Sequence, residues 1–180
     1  MSAGLVFWFT GLSGAGKSTL AERVAPILAE RGRSTLILDG DALRAVLSPD
    51  LGFSAADILA NNRRVAEHCA DRRAEADALL VPIIAPLAEG RRLARQRLAP
   101  GFFEIWISAG LATVTARDPK GLYARAAMGE ITDMIGYSPT APYQPPTAPD
   151  LTIDTANLPP ERCAERLVGF IMERLADSVG

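Results

Sequence analysis

Two short stretches of this chain have residue types and spacing that could do chemistry. The first, residues 11–19, reads GLSGAGKST and fits the phosphate-loop pattern G-x-x-x-x-G-K-[ST]. An apolar run, LVFWF at 5–9, precedes it, and the helix-patterned LAERVAPILAE follows it. That is the strand–loop–helix context the pattern requires. Its glycines reach backbone angles closed to other residues, so successive N–H groups can converge on phosphate oxygens at a helix N-terminus. Lys17 can then reach the β- and γ-phosphates, and the Ser18 hydroxyl suits a Mg²⁺ ion. The second stretch is Asp39-Gly40-Asp41, directly after the apolar run 34–38. One carboxylate there could orient or deprotonate a hydroxyl, and the other could bind Mg²⁺ through water. The plainer alternative for Asp39 is a helix cap.

Lysine is scarce in this chain. Of 19 basic residues only Lys17 and Lys120 are lysines. Surface charge is carried by arginine, which marks both lysines as positions where a compact ammonium is needed. His68 pairs with no nucleophile in the sequence, and the arginines of 91–97 read as a solvated helix face, with Arg91 as the one candidate among them for ligand binding.

Strands are expected at 5–10, 34–38, 79–84, 102–107 and 151–154, with Trp8 and Trp106 as core residues. Helices are expected at 17–31, 42–47, 54–78, 89–98, 111–117, 122–128 and 159–176. Ser54 with Asp57 three residues on resembles a capping box. Pro26 suggests a bend or an early end to its helix, and Pro82 is awkward in a central strand. Residues 132–150, with Pro139, Pro142, Pro145, Pro146 and Pro149, form a loop or lid. The alternation of strands and helices predicts an α/β fold: a mostly parallel sheet with helices on both faces. Ligands then bind beyond the carboxyl ends of the strands, where the phosphate loop and the Asp39–Asp41 pair both fall.

The 180 residues suit one domain, 1–180. A formal net charge of −2 argues against a nucleic-acid partner. No run is apolar enough for a membrane span, and no signal peptide is expected. Cys69 and Cys163 fit no metal spacing and read as buried thiols of a cytoplasmic protein.

Taken together, GLSGAGKST, LDGDALR at 38–44, DLGFS at 50–54, NNRR at 61–64, and RDPKGLYARA with GEI at 117–131 resemble the adenylyl-sulfate kinase family of P-loop kinases. The resemblance spans nearly the whole chain. It implies transfer of the γ-phosphoryl of ATP to the ribose 3′-hydroxyl of adenosine 5′-phosphosulfate (adenylyl sulfate), giving PAPS. It also implies Mg²⁺, a cytoplasmic location and a homodimer. Position by position, it places Gly11, Ser13, Gly14, Ala15, Gly16, Lys17, Ser18 and Thr19 on ATP, with Arg117 over the adenine and Thr155, Ala156 and Asn157 at its edge. Lys17, Asp39 and Asp41 are the implied catalytic residues, with Ser18 and Asp41 toward the metal. Arg44, Phe53, Asn61, Arg64, Ile84, Lys120 and Met134 would join Asp39 and Asp41 around the acceptor, Phe53 stacking on its base.

The chain departs from the family pattern at four places. Ile58 stands where the family has arginine, Ala42 where it has asparagine, Ala85 where it has serine, and Met134 where it has an aromatic. All four belong to the acceptor side or its edge, so Arg91 or Arg92 is expected to supply the missing charge. Two alternatives stay open: a related kinase acting on another nucleotide derivative or small hydroxyl compound, and a nucleotide-binding partner without turnover.

Overall fold

The structure, a computed structural model, describes residues 3–178. Five strands form one parallel sheet: β1 (Leu5–Thr10), β2 (Thr35–Ile37), β3 (Ala78–Pro82), β4 (Phe102–Ser108) and β5 (Leu151–Asp154). Their order is β2-β3-β1-β4-β5, so the strand that feeds the phosphate loop is central. All six residues of β1 are buried, as a strand covered on both faces requires. Its side chains alternate between two cores. Leu5, Phe7 and Phe9 pack with α1 (Lys17–Glu30) and α7 (Pro160–Asp177) through Val24, Leu28, Leu167 and Ile171. Val6 and Trp8 pack with α3 (Ala55–Arg72) and α4 (Ala88–Leu98) through Val65, Cys69, Ala94 and Leu98. The remaining helices, α2 (Gly40–Leu47), α5 (Leu111–Arg117) and α6 (Leu122–Ala127), line the carboxyl edge of the sheet.

Local signals explain most boundaries. Ser54 and Asp57 form a reciprocal capping box at the start of α3. Pro26 lies inside α1 without ending it, and Gly32, at φ 73°, follows the helix. Pro82 is the last residue of β3. The β2 ladder stops at the Ile37–Leu80 pair, so the proline costs that ladder nothing.

The structure corrects three expectations. The third helix ends at Arg72, not at 78, and a 3₁₀ turn, Arg73–Glu75, follows. The Arg73 guanidinium donates to the carbonyls of Gly4, Leu98 and Pro100, which pulls the chain out of the helix and into β3 at Ala78. Trp106 is only partly buried, whereas Trp8 is fully buried. Arg91 is 3% exposed and belongs to no solvated face. The segment 132–150 holds no helix or strand, as expected, but its second half is anchored. Gln144 N–H donates to Pro86 O, Gln144 Oε1 accepts from Ala88 N–H, and Tyr143 Oη shares a hydrogen bond with Thr10 Oγ1.

Candidate active site

A cavity of about 870 Å³ opens at the carboxyl edge of the sheet. That lies at the upper end of the range for small-molecule sites. The phosphate loop forms its floor from Ser13 to Thr19. Gly14 at φ 78° and Gly16 at φ 96° hold backbone angles that a side chain would strain. Gly11 lies behind the loop rather than in the wall: a methyl group there would meet Ile107 O at 2.4 Å. Three side chains brace the loop, one from within it and two from other elements. Lys17 Nζ donates to the carbonyls of Gly11 and Leu12, both at 2.8 Å. Tyr123 Oη on α6 donates to Ser13 O at 2.9 Å, and Thr155 Oγ1, just past β5, donates to Ala15 O at 2.8 Å.

Lys17 is the first residue of α1 and is 8% exposed. Burial pushes its ammonium down to about 7, against the pull of Asp41 and Asp39 and with a further push from Lys120. Much of this lysine is therefore neutral at physiological pH until an anion arrives.

Asp39 takes the plainer of the two readings open to it, a helix cap, and its second oxygen reaches the phosphate loop. Its Oδ1 caps α2 by accepting the N–H groups of Asp41 and Ala42, at 3.0 and 3.2 Å. Its Oδ2 accepts Ser18 Oγ–H at 2.7 Å, which ties the cap to the phosphate loop. Asp41, in the first turn of α2, forms an ion pair with Lys120 from the α5–α6 turn. Both lysines of the chain thus meet at one place in the cavity. Ser18 and Asp39 present hard oxygen donors suited to Mg²⁺, with Asp41 beside them. Among the described residues no three His, Cys, Asp or Glu side chains stand close enough to hold a metal by themselves. Mg²⁺ favours such a partial site, completed by water and substrate phosphates.

At one end of the cavity Arg117, Thr155, Ala156, Leu158 and Cys163 line the wall. Arg117 donates to Thr155 through Oγ1 and the carbonyl. Asn157 instead turns its amide to Asp154 Oδ2. Toward the other end lie Arg44, Phe53, Ile58, Asn61, Ile84 and Ile135. Arg44 stacks on Phe53, its guanidinium carbon 4.4 Å from the ring centre. Phe53 is 59% exposed, so its outer face is free to stack on a planar ligand.

Four candidates for the acceptor side fall elsewhere. Arg64 turns away from the cavity: it donates to Leu47 O and to Asp50, and its bonds to Asp50 hold that carboxyl down at about 2. Met134 is buried in the core beside the phosphate loop, and its neighbour Ile135 takes the place in the wall. Arg91 is spent on internal contacts. It donates to Glu104 Oε1 at 2.7 Å and to Ala85 O and Gln144 O, each at 2.8 Å. Arg92 pairs with Glu89 on the surface. Neither arginine supplies the charge missing at Ile58. Sequence reasoning missed Arg23, Cys163 and Asn62 in the wall. Only Asn62 had a signal, its position beside Asn61.

Residues 3–154 match the family described as adenylylsulphate kinase. An adenylyl-sulfate kinase of Paraburkholderia xenovorans is 43% identical over 169 residues, covering 94% of this chain and 93% of that protein. Among solved structures, the Mycobacterium tuberculosis APS kinase CysC in complex with AMPPNP and APS superposes with a TM-score of 0.88 at 42% identity, over 96% of this chain and 99% of that one. A hexameric APS kinase from Thiobacillus denitrificans has a TM-score of 0.66 at 31% identity, over 95% of this chain and 29% of that one.

Proposed function

The chain belongs to the adenylylsulphate kinase family, and from that membership we propose how its residues divide the work. It is an ATP-dependent kinase that phosphorylates the ribose 3′-hydroxyl of adenosine 5′-phosphosulfate, giving PAPS. One observation carries the assignment of roles: a single cavity joins a complete phosphate loop to Asp39, Asp41 and Lys120, and beyond them to Arg44, Phe53 and Asn61.

In this reading the loop N–H groups and Lys17 grip the β- and γ-phosphates of ATP, and Arg117 with Thr155 and Ala156 flanks its adenine. Ser18 and Asp41, with the Asp39 carboxylate held through Ser18, would hold Mg²⁺, which supplies charge neutralisation on the phosphate oxygens when bound. The acceptor base stacks on Phe53, with Arg44, Asn61 and Ile84 around the rest of the nucleotide. Asp41 orients the 3′-hydroxyl and takes its proton as the bond to phosphorus forms. Lys120, freed from Asp41 as that proton arrives, follows the charge of the transferred phosphoryl group. Phosphoryl transfer asks little covalent chemistry of a protein, so positioning and charge supply most of the rate.

We place the enzyme in the cytoplasm, consistent with two free, buried cysteines. Among the described residues no helix is long and apolar enough to cross a membrane. We also propose a homodimer, for which light scattering should return about twice 19.2 kDa. A mass near six times that value would replace the dimer with a hexamer.

An ADP-release assay with a panel of acceptors tests the whole reading, with product identified by mass. Turnover on adenylyl sulfate, giving PAPS and lost in Lys17→Ala, is the expected result. Turnover only on another hydroxyl compound would move the acceptor assignment. ATP binding without turnover on any acceptor would remove the enzyme reading.

A further inference from the structure

Two carboxamides stand side by side on α3 in the cavity wall, and each buries a polar atom that has no partner. These atoms are Asn61 Oδ1 and Asn62 Nδ2. Asn62 is 2% exposed. It lies four residues after Ile58 on the same helix, so the two share a face one turn apart. Ile58 is the position where the family has arginine, and it too lines the cavity. Two of the nearby arginines cannot replace that charge: Arg64 is paired with Asp50, and Arg91 is buried against Glu104.

What Asn62 touches explains its unpaired atom. Its Nδ2 packs against Gly90, in the first turn of α4, so closely that a methyl group on the glycine would come within 2.5 Å. Set against that glycine, the amide nitrogen has no acceptor within reach. The two ends of a carboxamide have the same outline, and half a turn of the group exchanges them. In that orientation Oδ1 lies against Gly90, and the NH₂ group takes the side turned to the cavity.

We propose that Asn62 is a specificity-determining residue for the acceptor: its carboxamide oxygen lies against Gly90, and its NH₂ group donates to the sulfate end of adenylyl sulfate beside Ile58. The inference rests on the kinase reading above. Here a neutral donor serves where the family uses a charged side chain. Gly90 is part of the device, because any side chain there would displace the amide.

The test compares two ligands that differ only in the sulfate, adenylyl sulfate and AMP, by calorimetric titration of the wild type, Asn62→Leu and Asn62→Asp. Adenylyl sulfate should bind Asn62→Leu about 10- to 100-fold more weakly, the loss expected for one hydrogen bond to a charged group. AMP should bind it within about twofold of wild type, since it lacks the group that this contact serves. Asn62→Asp keeps the shape of the side chain and should lose more, because a carboxylate faces the sulfate. Adding Ile58→Arg to Asn62→Leu should restore sulfate-dependent affinity. Equal losses for both ligands would put Asn62 on the nucleoside end and overturn the proposal. Unchanged adenylyl sulfate affinity with an altered melting temperature would make Asn62 a packing residue and overturn it too. Failure of the wild type to prefer adenylyl sulfate over AMP would instead overturn the acceptor reading on which the proposal rests.

Discussion

Replacing Arg91 with methionine should separate stability from acceptor binding. Arg91 and Glu104 form an ion pair at 2.7 Å, with the two residues 3% and 9% exposed. Methionine would leave the Glu104 carboxylate buried without its main partner, the Gln144 carbonyl without a donor, and the Ala85 carbonyl with Thr10 Oγ1 alone. Breaking one side of such a pair costs about 3–5 kcal/mol. Arg95 Nη2, 3.7 Å from the other Glu104 oxygen, offers a partial substitute, which favours the lower end. About 3 kcal/mol corresponds to a melting temperature lower by roughly 6–12 °C in a chain of this size. The functional loss has a different origin. Ala85 sits at φ 43°, a strained angle for a residue with a side chain, and it lines the cavity. Arg91 Nη1 and Thr10 Oγ1 hold its carbonyl in place. Without Arg91 that wall relaxes, so KM for adenylyl sulfate rises while KM for ATP stays near wild type. The double variant Arg91→Met/Glu104→Met removes both charges and should regain most of the stability, because a buried pair is often no better than its apolar replacement. It should not regain the acceptor KM. Denaturant unfolding and initial-rate kinetics on the three proteins read both quantities. A loss below about 1 kcal/mol in Arg91→Met would mean that Glu104 does not depend on this pair, and recovery of KM in the double variant would mean that Arg91 does not hold the Ala85 wall.

Three further outcomes follow from the site. Lys17 sits at about 7 in the ligand-free protein, below its ordinary 10.5. Bound polyphosphate raises it again, so ATP binding at pH 8 should take up close to one proton, read by calorimetry in buffers of different ionisation heat. Zero uptake would contradict the buried, mostly neutral lysine. The same shift means that the unfolded chain holds a proton the folded one lacks between pH 7 and 10.5, so this group makes folding more favourable as pH rises through that window. Ile58→Arg should tighten adenylyl sulfate by about 10-fold or more, one charge-assisted contact, without changing ATP affinity; no change would mean that the acceptor lies elsewhere. Tyr123→Phe removes the hydrogen bond to Ser13 O and should cost about 1 kcal/mol of stability and raise KM for ATP, whereas an unchanged KM would show that the loop needs no brace from α6.

How far this site was legible depends on whether a residue's role is set by its neighbours in the chain or across the fold. The phosphate loop and Asp39 were legible because their work is local: glycine angles, a helix N-terminus and a cap two residues away. The sheet was legible because β1 alternates between two cores with a period of two. Arg91 was not, since its partners, Glu104 and Gln144, lie 13 and 53 residues away, and nothing in a run of arginines says which one turns inward. Arg64 was misplaced for the same reason, its charge being taken by Asp50 across the α2–α3 loop. Met134 and Ile135 exchanged roles because a loop without periodicity does not say which of two adjacent apolar residues faces the core. The misplaced arginines and Met134 belong to the acceptor side, where the walls come from α2, α3, the β3–α4 loop and the 132–150 segment. The donor side hangs mainly on one strand–loop–helix unit. A kinase fold can therefore keep its donor chemistry readable in a few consecutive residues while its choice of acceptor is written in long-range contacts. Changes of acceptor should then arise by substitutions such as Arg to Ile at position 58, with compensation one helical turn away and no mark on the phosphate loop.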